Sequence, residues 1–277
     1  VAARSVLICL LAAGCAAGAG GGRMPPITAC GASGHWVDAA GHPIANPLPA
    51  ASLGSVVLLG EQHDNEADHR WQLAALTYLT ARRPGLVLGL EMFPRSKQAG
   101  LDAWSAGHLA EADFLARTDW KHVWGFDPKL YLPIFRFARD HGERLVALNV
   151  DGALVHRVAR AGWAKVPASL REGVGDPAPP GAAYRARLLE EMSAHMGPDI
   201  KAERIAHFID AQLLWDRAMA EAIARQHARA PGRLVVAMMG EGHLEYRDGV
   251  PAQLKALGLP DVAVFMPSSP SCGAPGA

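Results

Sequence analysis

Ser55-Val56-Val57-Leu58-Leu59-Gly60-Glu61-Gln62-His63 is the stretch from which the fold is read. An apolar run without alternation suits a strand covered on both faces, as in a parallel sheet, and the polar residues that follow fall where such a strand ends. The arrangement recurs. Leu86 to Leu90 (LVLGL) is followed by Glu91-Met92-Phe93, Leu145 to Leu148 (LVAL) by Asn149 and Asp151, and Leu234 to Met238 (LVVAM) by Gly240-Glu241-Gly242-His243, while Val262 to Phe265 (VAVF) is a further run. Helical periodicity fills the intervals at 67–83, 130–141, 153–161, 205–228 and 251–257. Short apolar runs alternating with helices predict an α/β fold, a mostly parallel, doubly wound sheet flanked by helices.

Two connections are longer than the dozen or so residues a parallel crossover needs. The one from Val150 to Arg233, broken by the loop-like Gly173 to Gly181, predicts a helical insert or subdomain over about 152–230; the one from Met92 to Arg144 predicts more than one helix. Upstream, His35-Trp36-Val37-Asp38 and the turn at Gly41-His42-Pro43 predict a small hairpin, so that 35–277 reads as a single domain.

The chain has 277 residues, half of them hydrophobic, which is enough to bury a full core. Lys plus Arg and Asp plus Glu are balanced at 27 each, and no polybasic stretch carries interleaved aromatics, so no nucleic-acid partner is expected. Near the N-terminus, Arg4 precedes a short apolar segment that ends in Leu10-Leu11-Ala12-Ala13-Gly14-Cys15, too short for a membrane span. It resembles a bacterial lipobox: residues 1–15 are expected to be a lipoprotein signal peptide and Cys15 the lipidated mature N-terminus, with a plain cleaved signal as the alternative. Export, anchoring to a bacterial membrane (the outer membrane foremost) and a flexible Ala/Gly-rich tether over 16–34 follow from that reading. In an oxidising compartment Cys30 and Cys272 are expected to pair as a disulfide.

The chemistry is expected at the strand ends. Ligands of open α/β sheets bind beyond the carboxyl ends of the strands, which brings Glu61, His63, Glu91, Asn149 and His243 to one mouth. A helix starting near Asp64 or Asn65 places His69 on the stripe of Leu73 and Leu76, facing the space of His63. In the long helix, Gln212 and Asp216 share the stripe of Ile205, Ile209, Met219 and Ile223 and need polar partners there. Helix capping or backbone satisfaction is the ordinary alternative for each. Together, His63, His69 and His243 with the carboxylates suit a divalent metal such as Zn, Mn or Fe, with Glu61 or Glu91 as general base on a bound water. No Gly-rich phosphate loop and no Gly-x-Ser-x-Gly elbow is present.

Gly60-Glu61-Gln62-His63-Asp64-Asn65 with His69, Glu91-Met92, Trp124 with Tyr131-Leu132-Pro133, Asn149, Gln212 to Asp216, Gly240 to His243 and Gly249-Val250-Pro251 stand in an order and spacing that resembles the ChaN-like haem-binding lipoproteins of the Tiki superfamily. The resemblance spans Trp36 to Phe265; Glu241 departs from it, a neutral residue being expected there. It implies a membrane-anchored haem-binding protein of iron acquisition, with haem as cofactor, a homodimer on haem binding, the membrane as partner through Cys15, and an outer-membrane haem receptor as a further partner. It equally implies the alternative of a metal-dependent hydrolase or protease, whose paired Gly-x-x-His motifs fall on Gly60/His63 and Gly240/His243 with Glu91. The haem-binding relatives use a tyrosine as iron ligand, and phenolate is a hard donor suited to iron(III). Tyr131 and Tyr246 lie in or beside the shared motifs, and Tyr131 is preferred because Trp120 and Trp124 offer apolar surface to a porphyrin.

Overall fold

The computed structural model describes residues 36–267 apart from 39, 41 and 197–200. The signal segment with Cys15, the tether and the pairing of Cys30 with Cys272 lie outside the described residues.

A two-stranded antiparallel hairpin opens the described chain, with Trp36–Val37 (β1) against Pro43–Ile44 (β2), as the turn residues predict, and a short helix, Leu48–Ala51 (α1), follows. The main sheet has five parallel strands: Val56–Glu61 (β3), Val87–Pro94 (β4), Arg144–Asn149 (β5), Val235–Gly240 (β6) and Ala263–Phe265 (β7). Side chains alternate between its two faces. Val57, Leu59, Leu88, Leu90, Val236 and Met238 pack on one side, and Val56, Leu58, Val87, Val235, Ala237 and Met239 on the other. Both faces are buried, which is why these strands read as continuous apolar runs.

The first face is covered by Glu66–Arg82 (α2), Gln98–Ser105 (α3), Glu111–Thr118 (α4), Trp120–Val123 (α5) and Pro128–Asp140 (α6). Gly152–Ala161 (α7), Ala182–Met196 (α8) and Ala202–Arg229 (α9) form the long insert before β6, and Val250–Ala256 (α10) follows it. The second face packs on α9, through Met219 and Ile223, and on α10, through Val250 and Leu254. The predicted doubly wound sheet is present, and no described helix is long and apolar enough to cross a membrane.

Strand order positions the site. Across the sheet the order is β5-β4-β6-β3-β7, so the strand that comes late in sequence is inserted between the first two. The turn after β6, carrying His243, is thereby delivered between the end of β3, carrying Glu61, and the end of β4, carrying Glu91. On the far side α8 and α9 form a small apolar cluster of Tyr184, Leu188, Met192, Phe208, Ile209 and Leu213.

Candidate functional site

Two buried arms meet at the carboxyl ends of β3, β4 and β6. The first is centred on Glu61, which is fully buried at the end of β3. Its Oε1 accepts hydrogen bonds from the Tyr131 hydroxyl at 2.7 Å and from His63 Nδ1 at 2.9 Å, and its Oε2 lies 3.4 Å from His69 Nδ1. Asn65 caps α2 by accepting the Ala67 N–H, which starts the helix so that His69 comes one turn in, as its spacing predicts. The His69 Nε2–H donates to the His63 carbonyl at 3.1 Å, and the Gln72 amide donates to the carbonyls of Leu59 and Gly60.

A carboxylate accepts only, so His63 Nδ1 carries the proton and, in the neutral ring, Nε2 carries the lone pair. The His63 ring lines the cleft described below, edge-on to Trp124 at 4.6 Å. Burial alone would weaken His63 as a base. The hydrogen bond to Glu61 and the charges of Glu91 and Glu61 outweigh burial and hold its pKa above the ordinary imidazole value.

The second arm runs through His243. Its Nδ1 lies 2.7 Å from Asp216 Oδ1 and its Nε2 3.3 Å from Glu91 Oε1. The other oxygen of each acid is also engaged: Tyr184 on α8 donates to Asp216 Oδ2 at 2.8 Å, and the Gly240 N–H donates to Glu91 Oε2 at 2.6 Å. Burial opposes charge on His243 and Glu91. The paired charges win, pushing His243 up to about 10 and Glu91 down to about 2. Gly249 belongs to this arm because a Cβ there would meet the His243 carbonyl at 2.5 Å and Asp216 Oδ1 at 2.8 Å, so the backbone closes on the pair only at glycine.

Between the arms opens a cleft of ≈ 250 Å³, lined on its floor by His63, Glu91, Asn149, Gln212 and His243 and on its walls by Trp124, Phe126, Val155, Leu188, Phe208 and Trp215. Asn149 donates to the Glu91 carbonyl and accepts the Val150 N–H, holding the end of β5 against β4. Glu241 turns away from the floor and accepts from the Gln62 amide at 3.0 Å, so the extra carboxylate does not join the acids of the cleft. Sequence reasoning missed His122 and His156 at the rim and Tyr184 and Leu188 on α8. The four-residue recurrence of Tyr184, Leu188 and Met192 was the signal for α8.

Metal ligation needs imidazole lone pairs and carboxylate oxygens aimed at one point. Here the carboxylates bind the imidazoles instead, and both nitrogens of His243 are taken. Among the described residues no group of three or more His, Cys, Asp or Glu side chains is arranged to hold a metal ion. The set expected from His63, His69 and His243 is thus not assembled as a metal shell.

A haem ligand must be open to a flat ring. Tyr131 has no exposed surface and donates its hydroxyl to Glu61, and burial together with that carboxylate pushes its pKa far up. Tyr184 is buried on Asp216 in the same way. These positions do not fit an iron ligand, contrary to the preference for Tyr131. Tyr246 is open instead: it is 75% exposed, on a turn where it and Arg247 adopt left-handed φ of 53° and 61°. The Arg187 guanidinium lies 4.3 Å from its ring centroid. Trp124 stands in the cleft wall against His63.

No curated protein matches the chain. Among solved structures it is similar to ChaN of Campylobacter jejuni with cofacially bound haem, at 16% identity and a TM-score of 0.67 over 84% of this chain and 89% of that one. An erythromycin esterase mutant in its open conformation matches at 14% identity and a TM-score of 0.48, over 82% and 76%. RRSP, a MARTX toxin effector domain from Vibrio vulnificus, matches at 17% and 0.41, over 73% and 32%. The first of these likenesses is one of fold. Residues 48–254 match the family described as haem-binding uptake, Tiki superfamily, ChaN, and the chain belongs to that family, whose cofactor is haem.

Proposed function

We propose that this protein is an exported, lipid-anchored haem-binding protein of iron acquisition, held to the outer membrane through Cys15, with Tyr246 as the iron ligand. Family membership supports haem, and the Gly14-Cys15 run supports the anchor. The observation that carries the ligand assignment is exposure. Of the four tyrosines, two are buried on carboxylates, Tyr78 stacks under Arg82 on α2, and Tyr246 alone is largely exposed. A bulky residue held at positive φ costs on the order of 1–3 kcal/mol, a strain found mainly where the side chain has work to do. Arg187 beside it offers a cation to a porphyrin carboxylate, although Asp248 shares that cation.

Phenolate from Tyr246 would occupy one face of the iron, stabilise the ferric state and leave the other face toward solvent. A second copy closing over that face makes a homodimer, the arrangement that cofacial binding in ChaN of Campylobacter jejuni brings to mind. Haem titration followed at the Soret band, with sedimentation at each ratio, tests the reading. Tyr246→Phe is expected to weaken uptake at least tenfold, about 1.4 kcal/mol, and to abolish the haem-dependent dimer. Unchanged affinity in Tyr246→Phe, or a loss confined to Tyr131→Phe, overturns the assignment.

A further inference from the structure

The exposed tyrosine leaves the cleft without a role. Its walls are aromatic on several elements: Trp124 and Phe126 come from the stretch joining α5 to α6, Tyr184 from α8, and Phe208 and Trp215 from α9. Trp124 and Phe126 stand 5.6 Å apart at 52° and form a corner against His63. Trp215 stands at 90° to the His243 ring, 6.2 Å away. Aromatic faces carry negative quadrupolar charge and attract cations, Trp most of all.

The ionisable lining points the same way. Among its described lining residues the cleft has no Lys or Arg, whereas Glu91, Asp151 and Glu191 are acidic. The fixed cation, His243, is outnumbered by the two acids that flank it, Glu91 and Asp216. His63 stands on its own acid, Glu61, and His122 at the rim on Asp119. The cleft is therefore negative in either charge state of His63. Such a lining repels porphyrin carboxylates, phosphates and other anions, and draws in a cation.

Hydrogen bonding narrows the class of cation. Glu91 spends its two oxygens on His243 and the Gly240 N–H, Asp216 spends its two on His243 and Tyr184, and Asp151 accepts from the Ser96 hydroxyl. An ammonium with N–H groups has to compete with those donors. A quaternary ammonium needs no acceptor. Val155 and Leu188 leave apolar wall for a side arm, and ≈ 250 Å³ limits the ligand to a small molecule.

We propose that this cleft binds a small quaternary ammonium compound with an apolar arm. Its head is held by the Trp124, Phe126 and Trp215 rings in the field of Glu91, Asp151 and Glu191, and its arm lies on Val155 and Leu188. The proposal rests neither on the haem reading nor on any chemistry at His63.

Calorimetric titration of the full chain with benzyltrimethylammonium, without haem, tests this. Saturable binding with Kd below about 1 mM is expected. N-benzylacetamide, neutral and of similar size, is expected to bind about tenfold more weakly, and phenylacetate more weakly still. Benzylammonium, with the same charge but three N–H groups to desolvate, is expected to bind about threefold more weakly than the quaternary probe. Trp215→Leu is expected to weaken the quaternary probe about fivefold or more. Should Trp215→Leu fail to give a native near-UV circular dichroism spectrum, Asp151→Asn, which still offers an oxygen to Ser96, is expected to narrow the preference for the cation over the neutral amide about threefold. No saturable binding by wild type, equal or tighter binding of the amide or of phenylacetate, tighter binding of benzylammonium, unchanged affinity in a folded Trp215→Leu, or an unchanged preference in Asp151→Asn overturns the proposal. Haem uptake is read separately at the Soret band, so either reading can fail alone.

Discussion

Glu61 with His63 and Glu91 with His243 are two carboxylate–imidazole pairs, set on β3 and on β4 with the turn after β6, yet they do different things. In the first, one acid holds one side of the ring, and the same Glu61 oxygen also accepts from Tyr131 while the other lies beside His69. In the second, acids flank the ring on both sides. One carboxylate holds the imidazole by a single nitrogen, whereas two make it a fixed cation. Residue type therefore does not assign the role; the number of acids on the ring does.

The comparison can be broken most severely at His243. Removing it leaves Glu91 and Asp216 as buried, unpaired acids, so His243→Ala is expected to cost about 3–5 kcal/mol in urea unfolding. A cost under 1 kcal/mol would mean that the pair is not charged. The same arm sets the pH behaviour. With its pKa raised, His243 contributes its full stability below the ordinary value of 6.5 and loses it as pH climbs through about 10. Glu91, with its pKa lowered, contributes above its ordinary 4.5 and loses it as pH falls through about 2. Stability is therefore expected to peak between these ordinary values and decline on both sides, and His243→Ala is expected to flatten the alkaline limb.

At the other arm, Glu61→Gln can keep an oxygen toward Tyr131 and His63, which share Oε1, but it removes the charge and places an amide N–H at the Oε2 position facing His69. The expected loss is about 2 kcal/mol in the same unfolding measurement, smaller because no second charge is stranded. Tyr184→Phe removes one donor from Asp216 and unpins α8 from the second arm, for about 1.5 kcal/mol. Tyr246→Phe is expected to stay within about 0.5 kcal/mol of wild type, since its hydroxyl has no buried partner, while haem titration changes sharply. A large stability loss there would tie Tyr246 to the core and weaken its assignment as ligand.

Much of this was legible in the sequence, for local reasons. Uninterrupted Val and Leu runs mark strands buried on both faces, and the polar residues directly after them identified Glu61, His63, Glu91 and His243. Helical spacing found His69 and Asp216, since polar groups on an apolar stripe must point inward. The small hairpin followed from its turn residues. Less visible was α8, whose stripe of Tyr184, Leu188 and Met192 follows a loop rich in Gly and Pro and packs on a limited apolar cluster.

By itself the sequence determined the α/β class, the strands and the set of side chains at their ends, because hydrophobic periodicity encodes which residues face inward. Only the tertiary structure decided the rest. The strand order places β6 between β3 and β4, and from it follow the bonds that make His243 a cation and the place of the His63 ring on the cleft. The burial of Tyr131 and the exposure of Tyr246 depend on what packs over each ring. Periodicity says that a side chain turns inward, but it carries no record of which strand becomes the neighbour or which of two acids comes within 3 Å or so of a given nitrogen. That is settled when distant segments close over one another.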